Sequence, residues 1–280
     1  MEASAKATLD FFGLKPGDKA LLCLPEKYIA GKMMIVRSQI GKLDLYCIEP
    51  SSVPMAELPE IDFAAMTPAQ VSGLLESEKG IRFLNNIRQL ILGGSLIPEK
   101  LEQQIQSLKT SVWHTYGMTE TITHIALRKV NGKGASQWFK PMPGVEVLST
   151  EDGCLQIDAQ HLGVYSLKTN DLVELSKDGF RILGRKDNVV ISGGIKLYPE
   201  QIEKKLEGVI NEKFFFTGIS EDKFGEKLVL VIEQKNELKF NENKLWELIK
   251  NNLAGYEIPK EIVFVKEIKT TTIGKIIRTL

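Results

Sequence analysis

Through the first half of the chain, short apolar runs alternate with segments whose apolar positions recur at helical spacing. The spacing predicts a helix over Ser4–Phe12, a turn at Lys15-Pro16-Gly17-Asp18 and an apolar strand over Ala20–Leu24. Ile29–Ile40 reads as a helix, and Asp44–Ile48 and Phe63–Met66 as strands. Thr67-Pro68 opens a further helix, with threonine as N-cap and proline at the first helical position. A strand at Gln89–Leu92 ends at Gly93-Gly94-Ser95, an amphipathic helix follows at Pro98–Leu108, and Ser111–Thr115 is another strand. This alternation predicts an α/β body with a largely parallel sheet.

From Ile122 to Leu183 the pattern changes to short strands with glycine turns, at Gly144–Leu148, Cys154–Asp158, Leu172–Leu175 and Phe180–Leu183. Lys177-Asp178-Gly179 has the composition of a hairpin turn. These segments predict an antiparallel β subdomain attached to the body. From Lys186 a second unit begins, with a helix at Glu200–Leu206, strands at Lys213–Gly218 and Lys227–Glu233, a helix at Glu242–Leu253 and a strand at Glu261–Val265. The expected fold is an α/β body with an antiparallel β subdomain over residues 1–185, plus a small C-terminal α+β domain over 186–280.

Composition narrows the function classes. Lys plus Arg and Asp plus Glu both number 36 among 280 residues, so no basic excess exists to bind a phosphate backbone, and nucleic acid is not an expected partner. No apolar run approaches the roughly 18 residues of a membrane-spanning helix, and the N-terminus lacks the apolar core of a signal peptide. Cys23, Cys47 and Cys154 lie far apart in strand-like contexts, which predicts buried, reduced thiols in a cytoplasmic protein and no zinc site. A homo-oligomer remains open.

Several segments carry candidate chemistry. Tyr116-Gly117-Met118-Thr119-Glu120 follows a strand, which places it at a sheet's carboxyl edge, where open α/β sheets bind ligands. There Thr119 can hydrogen-bond a phosphate oxygen, the carboxylate of Glu120 suits Mg²⁺, and Tyr116 offers a flat ring to a purine. Read alone, the segment is equally a loop with a Thr-Glu pair at a helix start. Gly93-Gly94-Ser95 lets the backbone approach a flat ligand, or makes a tight turn. Asp171 could accept hydrogen bonds from two vicinal hydroxyls. Downstream, Gly184-Arg185-Lys186-Asp187 leads through Asn188-Val189-Val190-Ile191-Ser192-Gly193-Gly194 to Pro199-Glu200-Gln201-Ile202-Glu203, and the chain closes on Thr270-Thr271-Thr272-Ile273-Gly274-Lys275.

In this order, the segments resemble the fingerprint of the adenylate-forming acyl-CoA synthetase superfamily. The resemblance implies two-step chemistry in which a small-molecule carboxylic acid reacts with ATP to give an acyl-adenylate, and coenzyme A then displaces AMP. It implies Lys275, Thr119 and Glu120 in catalysis, with Mg²⁺ on Glu120. Nucleotide contacts are implied for Gly93, Gly94, Ser95, His114, Thr115, Tyr116, Gly117, Met118, Asp171 and Arg185. Gly193 and Gly194 are implied along the pantetheine arm, Asp187 as the hinge of a mobile C-terminal domain, and Tyr28 and His114 at the acyl group.

The segments Leu21–Arg37 and Ile48-Glu49-Pro50-Ser51-Ser52 look like those of bacterial o-succinylbenzoate–CoA ligases of menaquinone biosynthesis. Three departures stand out. Asn170 occupies the usual glycine position before Asp171, Lys269 the usual proline position before Lys275, and Tyr28 a frequent histidine position. The family's Ser/Thr/Gly-rich phosphate loop has no counterpart in this sequence, and Met1–Thr8 resembles chain just downstream of it. A truncated polypeptide or a variant impaired in ATP activation is therefore expected. The alternatives are an adenylation domain loading a carrier protein, or a silent nucleotide-binding fragment.

Overall fold

Ala5, Leu9 and Phe12 line one buried side of α1 (Glu2–Phe12), which ends at Gly13 with φ 62°, a left-handed cap that favours glycine. The structure is a computed structural model and describes residues 1–221, 225–234, 242–270 and 276–279. The chain continues through β1 (Lys19–Leu22), α2 (Ile29–Gly41), β2 (Asp44–Cys47), β3 (Ile61–Met66) and α3 (Pro68–Leu75). Then come α4 (Glu78–Asn85), β4 (Ile87–Leu92), α5 (Glu99–Ile105), β5 (Ser111–Gly117), β6 (His124–Lys129) and β7 (Lys140–Pro141).

These strands form a seven-stranded sheet in the order β2-β1-β3-β4-β5-β6-β7. Pairing is parallel from β2 to β5 and antiparallel from β5 to β7. The central parallel strands carry apolar runs buried on both faces, at Phe63–Met66 of β3 and Leu90–Leu92 of β4. Ala64, Leu90, Leu92 and Val112 join Val71 and Leu74 of α3 and Leu101 and Ile105 of α5 in one core. At the head of α3, Thr67 Oγ1 accepts from the Gln70 amide at 3.2 Å while the Gln70 side chain accepts from the Thr67 amide at 3.0 Å, a closed capping box.

Beyond it, β8 (Glu146–Ser149), β9 (Cys154–Ala159), β10 (Val164–Ser176) and β11 (Gly179–Arg185) form a four-stranded sheet ordered β11-β10-β9-β8. A third sheet is built from β12 (Val190–Ser192), β13 (Ile195–Leu197), β14 (Phe214–Glu221), β15 (Gly225–Glu233) and β16 (Glu261–Val265), with helices α6 (Pro199–Leu206) and α7 (Glu242–Asn252). β14 and β15 run antiparallel from Phe214–Ile232 to Glu221–Gly225, and β16 joins β15 in parallel. Phe216, Leu228, Leu230 and Ile232 pack with Ile202, Leu206, Leu245 and Ile249 as a separate core.

The protein is therefore a mixed α/β fold with several sheets. It divides into two compact units. One comprises Met1–Thr150, Gln156–Thr169 and Leu175–Arg181, the other Glu151–Leu155, Asn170–Glu174 and Ile182–Leu280. The second unit thus takes in two short segments, Glu151–Leu155 and Asn170–Glu174, and resumes at Ile182, upstream of residue 186.

Four expectations are corrected. β6 and β7 lie beyond Ile122 yet extend the main sheet, because β5 turns back on itself through the Thr119–Thr121 turn. Helix α4 was not expected, since only Gly80 and Leu84 of its eight residues are buried; the Ser77 hydroxyl, accepting from the Gly80 amide at 3.1 Å, starts it. Asp171 stands inside the long strand β10 rather than at a strand entrance. Cys47 is exposed at the end of edge strand β2, whereas Cys23 and Cys154 are buried; all three are free thiols. No helix among the described residues is long and apolar enough to cross a membrane.

Candidate functional site

At the carboxyl edge of the first unit, β4 and β5 are parallel neighbours with Leu92 opposite His114, so Gly93 and Thr115 come side by side. A Cβ at Gly93 would stand 2.6 Å from Thr115 Oγ1, closer than any real contact, while that hydroxyl donates to the Leu92 carbonyl at 3.0 Å. Gly94 has φ 90° with open space around it. A Cβ at Gly117 would stand 2.4 Å from the Thr123 carbonyl, so glycine is required where the β5–β6 ladder shifts register. The edge thus presents bare backbone at two adjacent strand ends.

Around it, Ile122 holds φ 66°, a left-handed conformation that strains a β-branched residue by the order of 1–3 kcal/mol. Thr121 Oγ1 fixes this turn by donating to the Thr123 carbonyl at 2.8 Å, and its oxygen accepts from the Met118 amide at 3.0 Å. Thr119 and Glu120 are exposed, and Glu120 makes no hydrogen bond or ion pair with the described residues. Tyr116 lies within β5 rather than in a following loop. Its ring is buried edge-on against Phe180, with centroids 5.2 Å apart.

His114 is also buried. Its Nε2 lies 3.1 Å from the Ser95 carbonyl, and its Nδ1 accepts from Arg128 Nε at 3.3 Å. A guanidinium cannot accept a hydrogen bond, so the imidazole carries its proton on Nε2 and pins the glycine turn through Ser95. Arg128 in turn binds Glu102 of α5 through two bonds of 2.8 and 2.9 Å. Tyr28, at the N-cap of α2, is 54% exposed.

Sequence reasoning missed a buried cationic site beneath this edge. Arg37 of α2 is 2% exposed, and among the described residues it has no carboxylate partner. Its Nη2 donates to Thr123 Oγ1 at 3.2 Å, its Nη1 contacts Met34 Sδ at 3.7 Å, and its Nε has no partner. Burial pulls the guanidinium pKa down to about 10. His124 lies beside it, 3.4 Å from both Thr8 Oγ1 and Thr123 Oγ1. Burial, reinforced by the Arg37 charge, lowers its pKa to about 3 and keeps it neutral. The missed signal was an arginine directly after the apolar run Met33–Val36, where helical spacing alone does not separate a buried position from a surface one.

The second unit holds another group of predicted residues. Arg185 Nη1 donates to Asp171 Oδ1 at 3.3 Å and Nη2 to Asp187 Oδ2 at 3.4 Å, while Asn170 Nδ2 donates to the same Asp187 oxygen at 3.1 Å. Gly193 and Gly194, with φ 57° and 81°, form the two-residue turn between β12 and β13. Lys275, with Thr271 and Gly274, lies outside the described residues. On either side of residues 271–275, Thr270 pairs with Ile276, and the Ile277 amide donates to the Lys269 carbonyl at 3.0 Å. Arg278 is held by Glu203 of α6 at 2.7 Å and by the Phe216 carbonyl at 3.0 Å.

No protein-family model matches the chain. Among solved structures, it is 37% identical to an AMP-forming acyl-CoA synthetase/AMP-acid ligase II-like protein from Dyadobacter fermentans, covering 99% of this chain and 81% of that one, with a TM-score of 0.65. The chain belongs to the AMP-forming acyl-CoA synthetase family.

Other AMP-forming synthetases extend the comparison. The chain is 25% identical to the 2-succinylbenzoate–CoA ligase of Lactococcus lactis over 98% of its own length and 64% of that protein's. The o-succinylbenzoate CoA synthetase of Bacillus subtilis, solved with its acyl-adenylate intermediate, shares the fold at a TM-score of 0.78 and 22% identity, covering 98% of this chain and 63% of that one. The chain therefore spans 63–64% of the length of the first curated relatives it matches.

Proposed function

We propose that this chain contributes the acyl-adenylate and thioester chemistry of an AMP-forming acid–CoA ligase, with o-succinylbenzoate as the acid. One observation carries the reading: the edge stripped to backbone at Gly93 and Gly117 is followed by the exposed carboxylate of Glu120, which has no partner among the described residues. A flat base can lie along the first feature. The second suits a hard cation such as Mg²⁺, which neutralises nucleotide phosphate charge when bound. Among structures sharing the fold, a Bacillus subtilis o-succinylbenzoate CoA synthetase has been solved with ATP and magnesium and with its acyl-adenylate, which supports this reading.

The choice of acid rests on Arg37. A buried guanidinium without a counter-ion is costly, and an anionic group on the substrate would supply one. o-Succinylbenzoate carries two carboxylates, one for activation and one to meet Arg37.

In the first step, an oxygen of the reacting carboxylate attacks the α-phosphorus of ATP and pyrophosphate leaves. Negative charge grows on the non-bridging oxygens, and the Lys275 ammonium stabilises it. Thr119 hydrogen-bonds phosphate oxygen, Asp171 and Arg185 take the ribose hydroxyls, and the backbone from Gly93 to Ser95 and from His114 to Met118 lines the base. In the second step, residues 186–280 rotate about Asp187, withdrawing Lys275 and bringing Gly193-Gly194 alongside the pantetheine arm. The CoA thiolate then attacks the acyl carbonyl, and AMP leaves.

The test is a pyrophosphate-release screen over aromatic and aliphatic mono- and dicarboxylic acids, with free CoA and a phosphopantetheinyl carrier compared as acceptors. The proposal expects o-succinylbenzoate and CoA to be preferred. Preference for a monocarboxylate would overturn the substrate assignment, and preference for the carrier would overturn the acceptor.

A further inference from the structure

Within the second unit, four side chains close a ring around the proposed hinge. Arg185 reaches Asp171 on one side and Asp187 on the other. Asn170, next to Asp171 in the chain, donates its amide to the Asp187 carboxylate at 3.1 Å. A glycine at position 170, as in the family motif, has no side chain to make this bond. The contact is therefore specific to the Thr169-Asn170-Asp171 variant of the sequence.

The geometry separates the two holders of Asp187. Arg185 also serves Asp171, so a ribose occupying Asp171 and Arg185 competes with the Arg185–Asp187 pair. Asn170 faces no such competition, because among the described residues its side-chain amide bonds only Asp187. The backbone that must rotate begins here: Lys186–Asn188 form a short helical turn closed by the Val189 amide on the Lys186 carbonyl at 3.3 Å.

We propose that Asn170 is a positioning residue that restrains the hinge through Asp187, so that the chain holds this hinge conformation after nucleotide has drawn Arg185 away. The consequence for catalysis rests on the ligase reading above; the restraint itself does not. A single exposed bond to a carboxylate, screened by water, is worth a population shift of up to about two- to fivefold. The effect falls on the balance between the two half-reactions, since Asn170 touches neither base nor acyl group.

The experiment compares the unaltered protein with Asn170→Ala, which removes the donor without adding backbone freedom, and Asn170→Asp, which keeps the shape but sets a second carboxylate against Asp187. Amide hydrogen exchange of residues 186–190 is followed with and without AMP, and the rates of the two half-reactions are measured separately. The proposal expects exchange to rise about two- to fivefold in Asn170→Ala and further in Asn170→Asp, with the increase larger when AMP is present. It also expects the ratio of the half-reaction rates to move by a similar factor at unchanged melting temperature. Unchanged exchange in both variants would overturn the restraint. Faster exchange with an unchanged half-reaction ratio would overturn its link to turnover. If exchange rises but neither half-reaction occurs in any form of the protein, the ligase reading fails and the restraint stands.

Discussion

Replacing Arg37 by methionine should make the protein more stable and less able to bind a dicarboxylate. The side chain is 2% exposed, pairs with no carboxylate among the described residues, and leaves Nε without a partner. Burial pulls its pKa down from the ordinary arginine range to about 10, and at roughly 1.4 kcal/mol per unit this corresponds to a penalty on the order of 3 kcal/mol for holding the charge there. Methionine gives up the Thr123 hydrogen bond, worth about 1 kcal/mol, and a contact 6.0 Å from the Phe63 ring. It fills similar space with atoms suited to a core. A net gain of about 1–2 kcal/mol is expected, which for a unit of this size raises the melting temperature by several degrees. Thermal unfolding by circular dichroism checks the first half. Calorimetry with o-succinylbenzoate and a monocarboxylate analogue checks the second, with loss of affinity confined to the dicarboxylate. A destabilised Arg37→Met variant would mean that the charge has a partner in the folded protein, and the substrate argument built on its isolation would fall.

Two further outcomes follow, one from the proposed mechanism and one from the buried His124. Lys275→Ala should abolish pyrophosphate release while leaving thioester formation from supplied acyl-adenylate within a few-fold, a separation that stopped-flow measurement of the half-reactions resolves. Equal loss in both steps would refute the division of labour. His124 has a folded pKa of about 3 against an ordinary value of 6.5, so the unfolded chain binds the extra proton first as pH drops. Its contribution is present above about pH 6.5 and is lost as pH falls toward 3, with a slope of up to about 1.4 kcal/mol per unit. Urea titrations of His124→Asn should show a shallower acid slope than the unaltered protein; an identical slope would show that His124 is not held neutral.

Much of the body was legible because local signals agreed with the final packing. Thr67 and Pro68 place the start of α3 to the residue, and within the expected strands Phe63–Met66 and Gln89–Leu92 the apolar stretches Phe63–Met66 and Leu90–Leu92 are buried on both faces. What could not be read depends on partners distant in sequence. His124–Lys129 looks like any short strand, and only its pairing with Ser111–Gly117 assigns it to the main sheet. Helix α4 buries only Gly80 and Leu84 fully, packs Ile81 and Phe83 partly against the core, and is started by its Ser77 cap.

At the site, glycine positions were legible as points of close approach, but the reasons differ. Gly93 is forced by Thr115 on a neighbouring strand and Gly117 by the Thr123 carbonyl. Arg37 was hidden because its surroundings include Thr123, His124 and the Phe63 ring, residues distant in sequence that helical spacing cannot reveal. The Asn170–Asp187 bond was unreadable for the same reason, since seventeen positions separate residues that the β10–β11 hairpin brings together.

The most direct measurement of the central claim supplies synthetic o-succinylbenzoyl-adenylate and CoA to this chain and follows both products by quenched-flow chromatography. The account predicts AMP and the acyl-CoA thioester in equal amounts, far faster than without protein. Binding of the adenylate with no thioester above background would contradict it and leave a nucleotide-binding protein in its place.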